Sequence, residues 1–291
     1  MRFAASTLGA PGAPLATVAA WVADAGGGAL ELRVADGEPV HLGLDDAGCR
    51  DVLRALDDAG IAVLSLATYV TVASAGPDTA VVASLRDHLD LAARLKARFL
   101  RVFPGAARLP GPTSAPPRTQ EPYDILDARA VRRLAAVAPH AAEKGVRLVL
   151  ETHDSHPRGE DVARVLTLLD DTLPGTGTGA VWDALHPWRV GEPPARTAPL
   201  LRAFLDGGRG YVQVKDVVSR DDLTPCLPGE GALPLGEVMR SLAGWYSGPI
   251  SLEWERAWYP RIPDLPAALR ALARSITDTL PAGRRLQSRA P

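Results

Sequence analysis

The sequence predicts a single (β/α)₈ barrel, on three observations. Short apolar segments typical of strands alternate with longer Ala- and Leu-rich amphipathic segments along the whole chain. Eight such pairs occur, and 291 residues are enough for one barrel of this class. No change in composition divides the chain in two. We therefore expect one barrel domain over residues 1–280 and a disordered polar tail over residues 281–291.

Each element is predicted from a short sequence pattern. The strands are β-type apolar runs, which in chain order are Phe3–Ser6, Ala29–Val34, Ala62–Tyr69, Phe99–Phe103, Arg147–Thr152, Gly179–Asp183, Tyr211–Lys215 and Ile250–Glu255. The helices have apolar residues three and four positions apart and lie near 15–25, 45–59, 78–96, 128–144, 160–171, 196–205, 235–245 and 264–280. An open doubly wound sheet is the alternative, but the segment STLGAPGAP after the first strand lacks the phosphate-binding G-x-G-x-x-G pattern of that fold.

Composition excludes several classes of protein. A hydrophobic fraction of 46% argues against intrinsic disorder, and a net charge of -2 argues against a general binder of nucleic acid or membrane surfaces. No apolar run reaches the roughly 20 residues that a bilayer-spanning helix needs. The two cysteines, Cys49 and Cys226, cannot form a disulfide framework. These features predict a cytoplasmic protein.

The polar residues at the predicted strand ends are the candidate site, because barrel enzymes work at that face. The last four strands end with Glu151, Asp183, Gln213 and Glu253. Alternation along a strand directs these side chains toward the barrel mouth; Glu253, for example, lies on the face opposite Leu252 and Trp254. A single such carboxylate is often a helix cap or an ion-pair partner. Three brought together repel one another unless a cation lies among them, so the four in register favour a divalent metal site.

Further polar residues lie near the same face. Lys215 follows Gln213 by two residues and is either a functional cation or a salt-bridge partner, while His153 and His186 are either functional or packing residues. The Pro-rich loop Pro104–Pro122 and the segment Trp254–Tyr259, which contains Trp258, follow strands directly. We expect both to lie over the mouth and exclude water; the alternative for the loop is packing on the outside or a dimer contact.

Five motifs in the second half of the chain carry a resemblance to a known family. They are VLETH at 149–153, WDALHP at 182–187, QVKD at 213–216, GEGALPL at 229–235 and ISLEWE at 250–255. In order and spacing they are similar to the xylose-isomerase-like TIM barrel superfamily of sugar phosphate isomerases and epimerases, and the resemblance extends over about residues 1–280. It implies that Glu151, Asp183, Gln213 and Glu253 bind one divalent metal ion.

One position departs from the family pattern. The family usually has a metal-binding histidine in H-x-K-D, and Gln213 stands there. An all-oxygen ligand set favours Mn²⁺ or Mg²⁺ over Co²⁺ or Zn²⁺; loss of the metal is the alternative. Endonuclease IV members bind three zinc ions through additional histidines, but the second and third strands offer Glu31, Arg33, Thr68 and Tyr69. A DNA-repair function is therefore disfavoured.

The resemblance implies an enzyme that transfers a proton next to the carbonyl of a sugar-like ketose or polyol. Glu151 and Glu253 would be the acid/base pair, His186 would bind a substrate hydroxyl, and Lys215 would stabilise negative charge. His153, Arg101, Glu31 and Trp258 are the other expected substrate contacts. The alternatives are a dehydratase or other lyase using the same enediolate, and a non-catalytic sugar-binding barrel. The expected partner is a small sugar, without nucleic acid or membrane, and a homodimer is left open.

Overall fold

The computed structural model describes residues 3–109 and 111–279 as a closed barrel of eight parallel strands. The strands are β1 (Phe3–Ser6), β2 (Ala29–Arg33), β3 (Ala62–Thr71), β4 (Phe99–Phe103), β5 (Arg147–Glu151), β6 (Gly179–Asp183), β7 (Tyr211–Val214) and β8 (Ile250–Leu252). Each pairs with the next in sequence, and β8 pairs with β1. This confirms the predicted barrel. The predicted tail, 281–291, lies outside the described residues.

Helices surround the barrel in the order that the sequence predicts. They are α1 (Leu15–Asp24), α2 (Asp46–Asp57), α3 (Asp78–Arg94), α4 (Tyr123–Lys144), α5 (Gly159–Thr172), α6 (Leu185–Arg189), α7 (Pro194–Leu205), α8 (Leu235–Leu242) and α9 (Leu265–Thr279). Local signals set their ends: the Asp45 carboxylate accepts from the Gly48 amide at the start of α2, and left-handed Gly145 (φ 67°) ends α4. Among the described residues, every helix is too short or too polar to cross a bilayer.

Most boundaries lie within a few residues of the prediction, and two boundaries and one additional helix show why some differ. Strand β8 ends at Leu252 rather than Glu255, because its neighbours β1 and β7 offer no ladder partners beyond that point. Helix α4 begins five residues earlier than predicted, directly after Pro122, which is its N-cap residue. The short helix α6 was not predicted; it contains a proline within only five residues.

The barrel interior positions the candidate site. One buried cluster fills it, made of Ala4, Leu64, Phe99, Val149, Val181 and Tyr211. Side chains two residues apart on a strand share a face. Glu151, Asp183 and Gln213 therefore point inward one layer above Val149, Val181 and Tyr211, at the carboxyl-terminal mouth.

Candidate metal centre

Three carboxylates meet at the barrel mouth. Glu151, Asp183 and Glu253 each offer one oxygen, and these oxygens all lie within 4.8 Å of one another. Glu151 and Asp183 are fully buried, and Glu253 is 7% exposed. Buried carboxylates at this separation repel one another strongly, so the arrangement suits a divalent cation.

Gln213 adds a fourth oxygen to this group. Its Nε2 donates to both carboxylate oxygens of Glu31, at 3.1 and 3.0 Å. Its Oε1 is buried and has no hydrogen-bond partner among the described residues. Both carboxylate oxygens of Glu151 are likewise buried and accept no hydrogen bond from a described residue, although Oε2 forms an ion pair with Arg101. Buried acceptors without donors are rare in folded proteins, and oxygen donors of this type fit a hard divalent ion.

Glu31 supports Gln213 from inside the barrel. Besides the amide of Gln213, it accepts a hydrogen bond from the Tyr211 hydroxyl at 2.5 Å. Burial raises the pKa of Glu31, although the hydrogen bonds that it accepts oppose the shift. Because its oxygens are engaged in this way, Glu31 orients Gln213 so that the amide oxygen is left free.

Lys215 is a buried cation within this cluster. Its Nζ lies 2.9 Å from Asp183 Oδ2 and 2.7 Å from Glu255 Oε1, and it also donates to Glu253. Burial lowers the pKa of Lys215, but the three carboxylates outweigh burial and raise it well above its ordinary value. Burial likewise raises the pKa of Asp183, yet Lys215 and His186 hold it well below the usual range. Glu255 was not among the residues predicted for the site.

Arg101 lies against the other side of the cluster. Its Nε is 3.2 Å from Glu151 Oε2, and its guanidinium carbon lies 3.9 Å from the centre of the Phe103 ring. Burial raises the pKa of Glu151 well above its ordinary value, although Arg101 opposes this. The result is a carboxylate that attracts protons more strongly than one in water.

Two histidines stand beside the same carboxylates. His186 Nε2 is 3.2 Å from Asp183 Oδ2, and the His186 and His153 rings are 4.3 Å apart. Glu151, His153 and His186 form a second group whose ligand atoms lie within 4.8 Å of one another. Burial lowers the pKa of His186 well below its ordinary value, which keeps the ring neutral and able to bind a metal or accept a hydrogen bond. This second group was not predicted from the sequence.

An aromatic rim extends outward from these histidines. It consists of His153, Phe103, Tyr69, Arg33 and Trp258. The centres of the His153 and Phe103 rings are 4.2 Å apart, and those of Phe103 and Tyr69 are 6.2 Å apart. The Arg33 guanidinium carbon lies 5.5 Å from the Tyr69 ring centre and 4.8 Å from that of Trp258. Trp258 is 54% exposed, so the rim leads from the carboxylates to solvent.

The loop between β4 and α4 is anchored beside the mouth. Its described part folds back on itself, with the Leu109 amide donating to the Arg118 carbonyl at 2.6 Å. The Ala106 amide donates to Ser155 Oγ, and the Tyr123 hydroxyl donates to the Ser155 carbonyl. Ser155 lies four residues after Glu151, so these contacts join the loop to the segment that follows the candidate site. Closure of this loop over the mouth stays a prediction.

The motif QVKD contains one residue with a structural role. The buried Asp216 carboxylate accepts hydrogen bonds from the backbone amides of Val217, Gly229, Gly231 and Leu233. The GEG segment is thereby folded back onto the end of β7, which explains why these two motifs occur together.

The fold and the carboxylates at the barrel mouth define a class of protein, namely (β/α)₈ barrels with a buried acidic cluster at the ends of the last four strands. The match to a family model places the chain within that class. Residues 19–276 match the xylose isomerase-like TIM barrel, so the protein belongs to that family. None of the curated proteins matches this sequence.

Several solved structures share the fold over nearly their whole length. IolI protein with a binding zinc atom is 15% identical, with a TM-score of 0.75, covering 96% of this chain and 99% of that one. The probable 3-DHS dehydratase AsbF from Bacillus anthracis is 17% identical, with a TM-score of 0.72 and coverage of 94% and 98%. D-psicose 3-epimerase from Clostridium cellulolyticum H10, solved with D-tagatose, is 15% identical, with a TM-score of 0.72 and coverage of 96% and 99%. At these identities the likeness shows the fold.

Proposed function

We propose that this protein is a divalent-metal-dependent isomerase or epimerase that transfers a proton next to the carbonyl of a sugar-like ketose or polyol. The observation that carries the proposal is the buried cluster of Glu151, Asp183 and Glu253 with the free amide oxygen of Gln213. These four residues are the proposed metal ligands. Family membership and the titles of structural neighbours, which include epimerases and IolI, support the same chemistry.

The balance of charge supports a bound cation. The carboxylates in and beside the cluster are Glu31, Glu151, Asp183, Glu253 and Glu255, and the cations that contact them within the described residues are Lys215 and Arg101. If all were ionised, the group would carry three excess negative charges in a buried region. A divalent ion removes two of them, which lowers the cost of burial.

The ligand chemistry favours Mn²⁺ or Mg²⁺. Four oxygen donors suit these hard ions, whereas Zn²⁺ and Co²⁺ favour imidazole nitrogen. The second group, which combines Glu151 with His153 and His186, would suit zinc instead. The metal content of the purified protein distinguishes the two groups.

A metal held there would polarise a substrate carbonyl and its neighbouring hydroxyl. Glu151, whose pKa burial raises, is suited to accept a proton from the carbon next to the carbonyl. Glu253 would return a proton, to the other carbon in an isomerase or to the opposite face in an epimerase. His186 would hold a substrate hydroxyl, and Lys215 would stabilise the developing negative charge.

The surrounding side chains suit a sugar. The aromatic rim offers apolar ring faces next to polar groups, which matches the alternating C–H and hydroxyl surfaces of a carbohydrate. His153 and Trp258, both in the rim, and Arg101, stacked on Phe103, are the proposed substrate contacts. Glu31 is proposed to affect substrate binding indirectly, because it accepts the hydrogen bonds that orient Gln213.

Two measurements test the proposal. The first is metal content after purification and after loading with Mn²⁺, expected to be one ion per chain. The second is incorporation of solvent deuterium into ketoses such as D-fructose and D-tagatose, followed by mass spectrometry and NMR. Exchange without change in composition supports an isomerase or epimerase, whereas loss of water supports the dehydratase alternative.

A pair of variants links the result to the site. Glu253→Gln is expected to abolish exchange. The matched control is Glu160→Gln, because Glu160 lies on α5 and pairs with Arg158 and Arg196 rather than with a residue of the cluster. Absence of metal from a fully loaded sample, or full exchange in Glu253→Gln, would contradict the assignment.

A further inference from the structure

Lys215 contacts two of the carboxylates that are proposed to hold the metal. Its Nζ contacts the carboxylates of Asp183 and Glu253, and both belong to the group of three that is proposed to bind the ion. The Lys215 side chain is 1% exposed, so water does not screen its charge. Two cations a few ångströms apart in a buried site repel one another strongly. An ammonium and a metal ion would therefore compete for these two carboxylates.

Glu255 gives the ammonium another partner. Its Oε1 lies 2.7 Å from Nζ, and Glu255 does not belong to either candidate group of metal ligands. Its side chain is 21% exposed, compared with 9% for Glu253, so it stands farther toward solvent. A small movement of Nζ toward Glu255 would release Asp183 and Glu253 without leaving the lysine unpaired.

We propose that Lys215 is a built-in competitor of the metal and that Glu255 retains its ammonium when the metal binds. In the metal-free protein the ammonium neutralises Asp183 and Glu253; on binding it keeps only its contact with Glu255. This proposal rests on the proposed function, since it needs a metal at the same carboxylates. Its consequence is that Lys215 and Glu255 together set the affinity of the site.

A double-mutant cycle tests the proposal by isothermal titration calorimetry with Mn²⁺. Lys215→Met removes the competitor and should lower Kd by about tenfold or more. Glu255→Gln removes the alternative partner and should raise Kd by about tenfold. In the double variant the Glu255→Gln effect should disappear, because no ammonium remains to be retained. An equal effect of Glu255→Gln in both backgrounds would show that Glu255 acts only through its charge, and would overturn the proposal.

A second measurement uses the unaltered protein, so it does not depend on folding of the variants. The chain has three lysines, Lys96, Lys144 and Lys215. Labelling lysine side chains with ¹⁵N therefore gives three resonances, which can be assigned with Lys96→Arg and Lys144→Arg. Titration with diamagnetic Mg²⁺ should shift the Lys215 resonance and leave the other two in place. A Lys215 resonance that stays fixed while calorimetry shows saturation would overturn the proposal.

The two proposals fail differently. If neither the unaltered protein nor Lys215→Met binds Mn²⁺ or Mg²⁺, the metal site itself is wrong, and so is the proposed function. If both bind the metal with the same Kd, the metal site stands and the competition is wrong.

Discussion

Replacing Gln213 with Leu tests the position at which this chain departs from the family pattern. The substitution removes the free amide oxygen that is proposed to bind the metal, and it also removes both hydrogen bonds to Glu31. Loss of one ligand out of four is expected to weaken Mn²⁺ binding by at least about tenfold. The same change should destabilise the fold, and the two effects can be separated.

The expected loss of stability follows from the contacts of Glu31. A hydrogen bond to a charged group contributes about 1.5–3 kcal/mol, and the Tyr211 hydroxyl still donates to Glu31 in the variant. Burial already raises the pKa of Glu31, so protonation of this carboxyl limits the cost. We expect a loss of about 2 kcal/mol at pH 8. The loss should shrink as the pH falls, because the protonated form needs the amide donor less.

The control is Tyr211→Phe, which removes another donor to Glu31 without touching a proposed ligand. It should cost similar stability in urea unfolding and leave the Kd for Mn²⁺ nearly unchanged in calorimetry. A third variant, Gln213→His, should shift the preference toward Zn²⁺ or Co²⁺. Equal Mn²⁺ affinity in Gln213→Leu and Tyr211→Phe would refute the ligand role of Gln213.

Three further predictions concern the fold and the loop. Gly210→Ala would place a Cβ 1.9 Å from the Ala180 carbonyl oxygen and should lower the free energy of unfolding in urea by about 3 kcal/mol. The control, Gly28→Ala, has open space around the added Cβ and should cost much less. Equal losses of stability in the two variants would contradict the steric argument. Burial raises the pKa of Asp127, but hydrogen bonds from His156 and Arg164 outweigh burial and lower this pKa below its ordinary value of 3.8. The stability that Asp127 contributes is therefore present above pH 3.8 and is lost as the pH falls through the pKa in the folded state. Asp127→Asn should therefore destabilise the protein at about pH 7, and the difference from the unaltered protein should shrink as the pH falls below 3.8, as thermal melting over this range would show. Shortening the loop at 111–119 should raise KM or lower kcat by about tenfold or more with little change in Tm; unchanged kinetics with loss of a dimer on size-exclusion chromatography would make it an interface element.

The order of elements could be predicted from the sequence because each strand is a short apolar run between amphipathic helices. The strand ends could not all be predicted. Glu253 and Glu255 continue the alternation of β8, yet the ladder stops at Leu252, where the neighbouring strand β7 ends at its partner Val214. A strand end depends on its partners across the sheet, and the sequence of one strand does not contain them.

The acidic cluster could be predicted because side chains alternate between the two faces of a strand. Glu151, Asp183 and Gln213 each follow a buried interior residue by two positions, so the side-chain period of a strand directs them to the mouth. Pairings between distant strands were not predictable. Glu31 binds Gln213 across 182 positions, and Lys215 reaches Glu255 across 40. Closure of the barrel makes these contacts, and no local pattern encodes them.

The contact between Glu31 and Gln213 bears on whether the site has lost its metal. A ligating histidine binds the metal through one ring nitrogen and donates its other N–H to a supporting carboxylate or carbonyl. Gln213 has the same two faces: Nε2 donates to Glu31, and Oε1 is free. With Gln213 in the place of histidine, the position therefore keeps both a contact to a supporting carboxylate and an atom that can bind a metal. That atom is an oxygen instead of a nitrogen. On this argument we expect the departure from the family pattern to alter which metal the proposed site prefers, rather than whether it binds one.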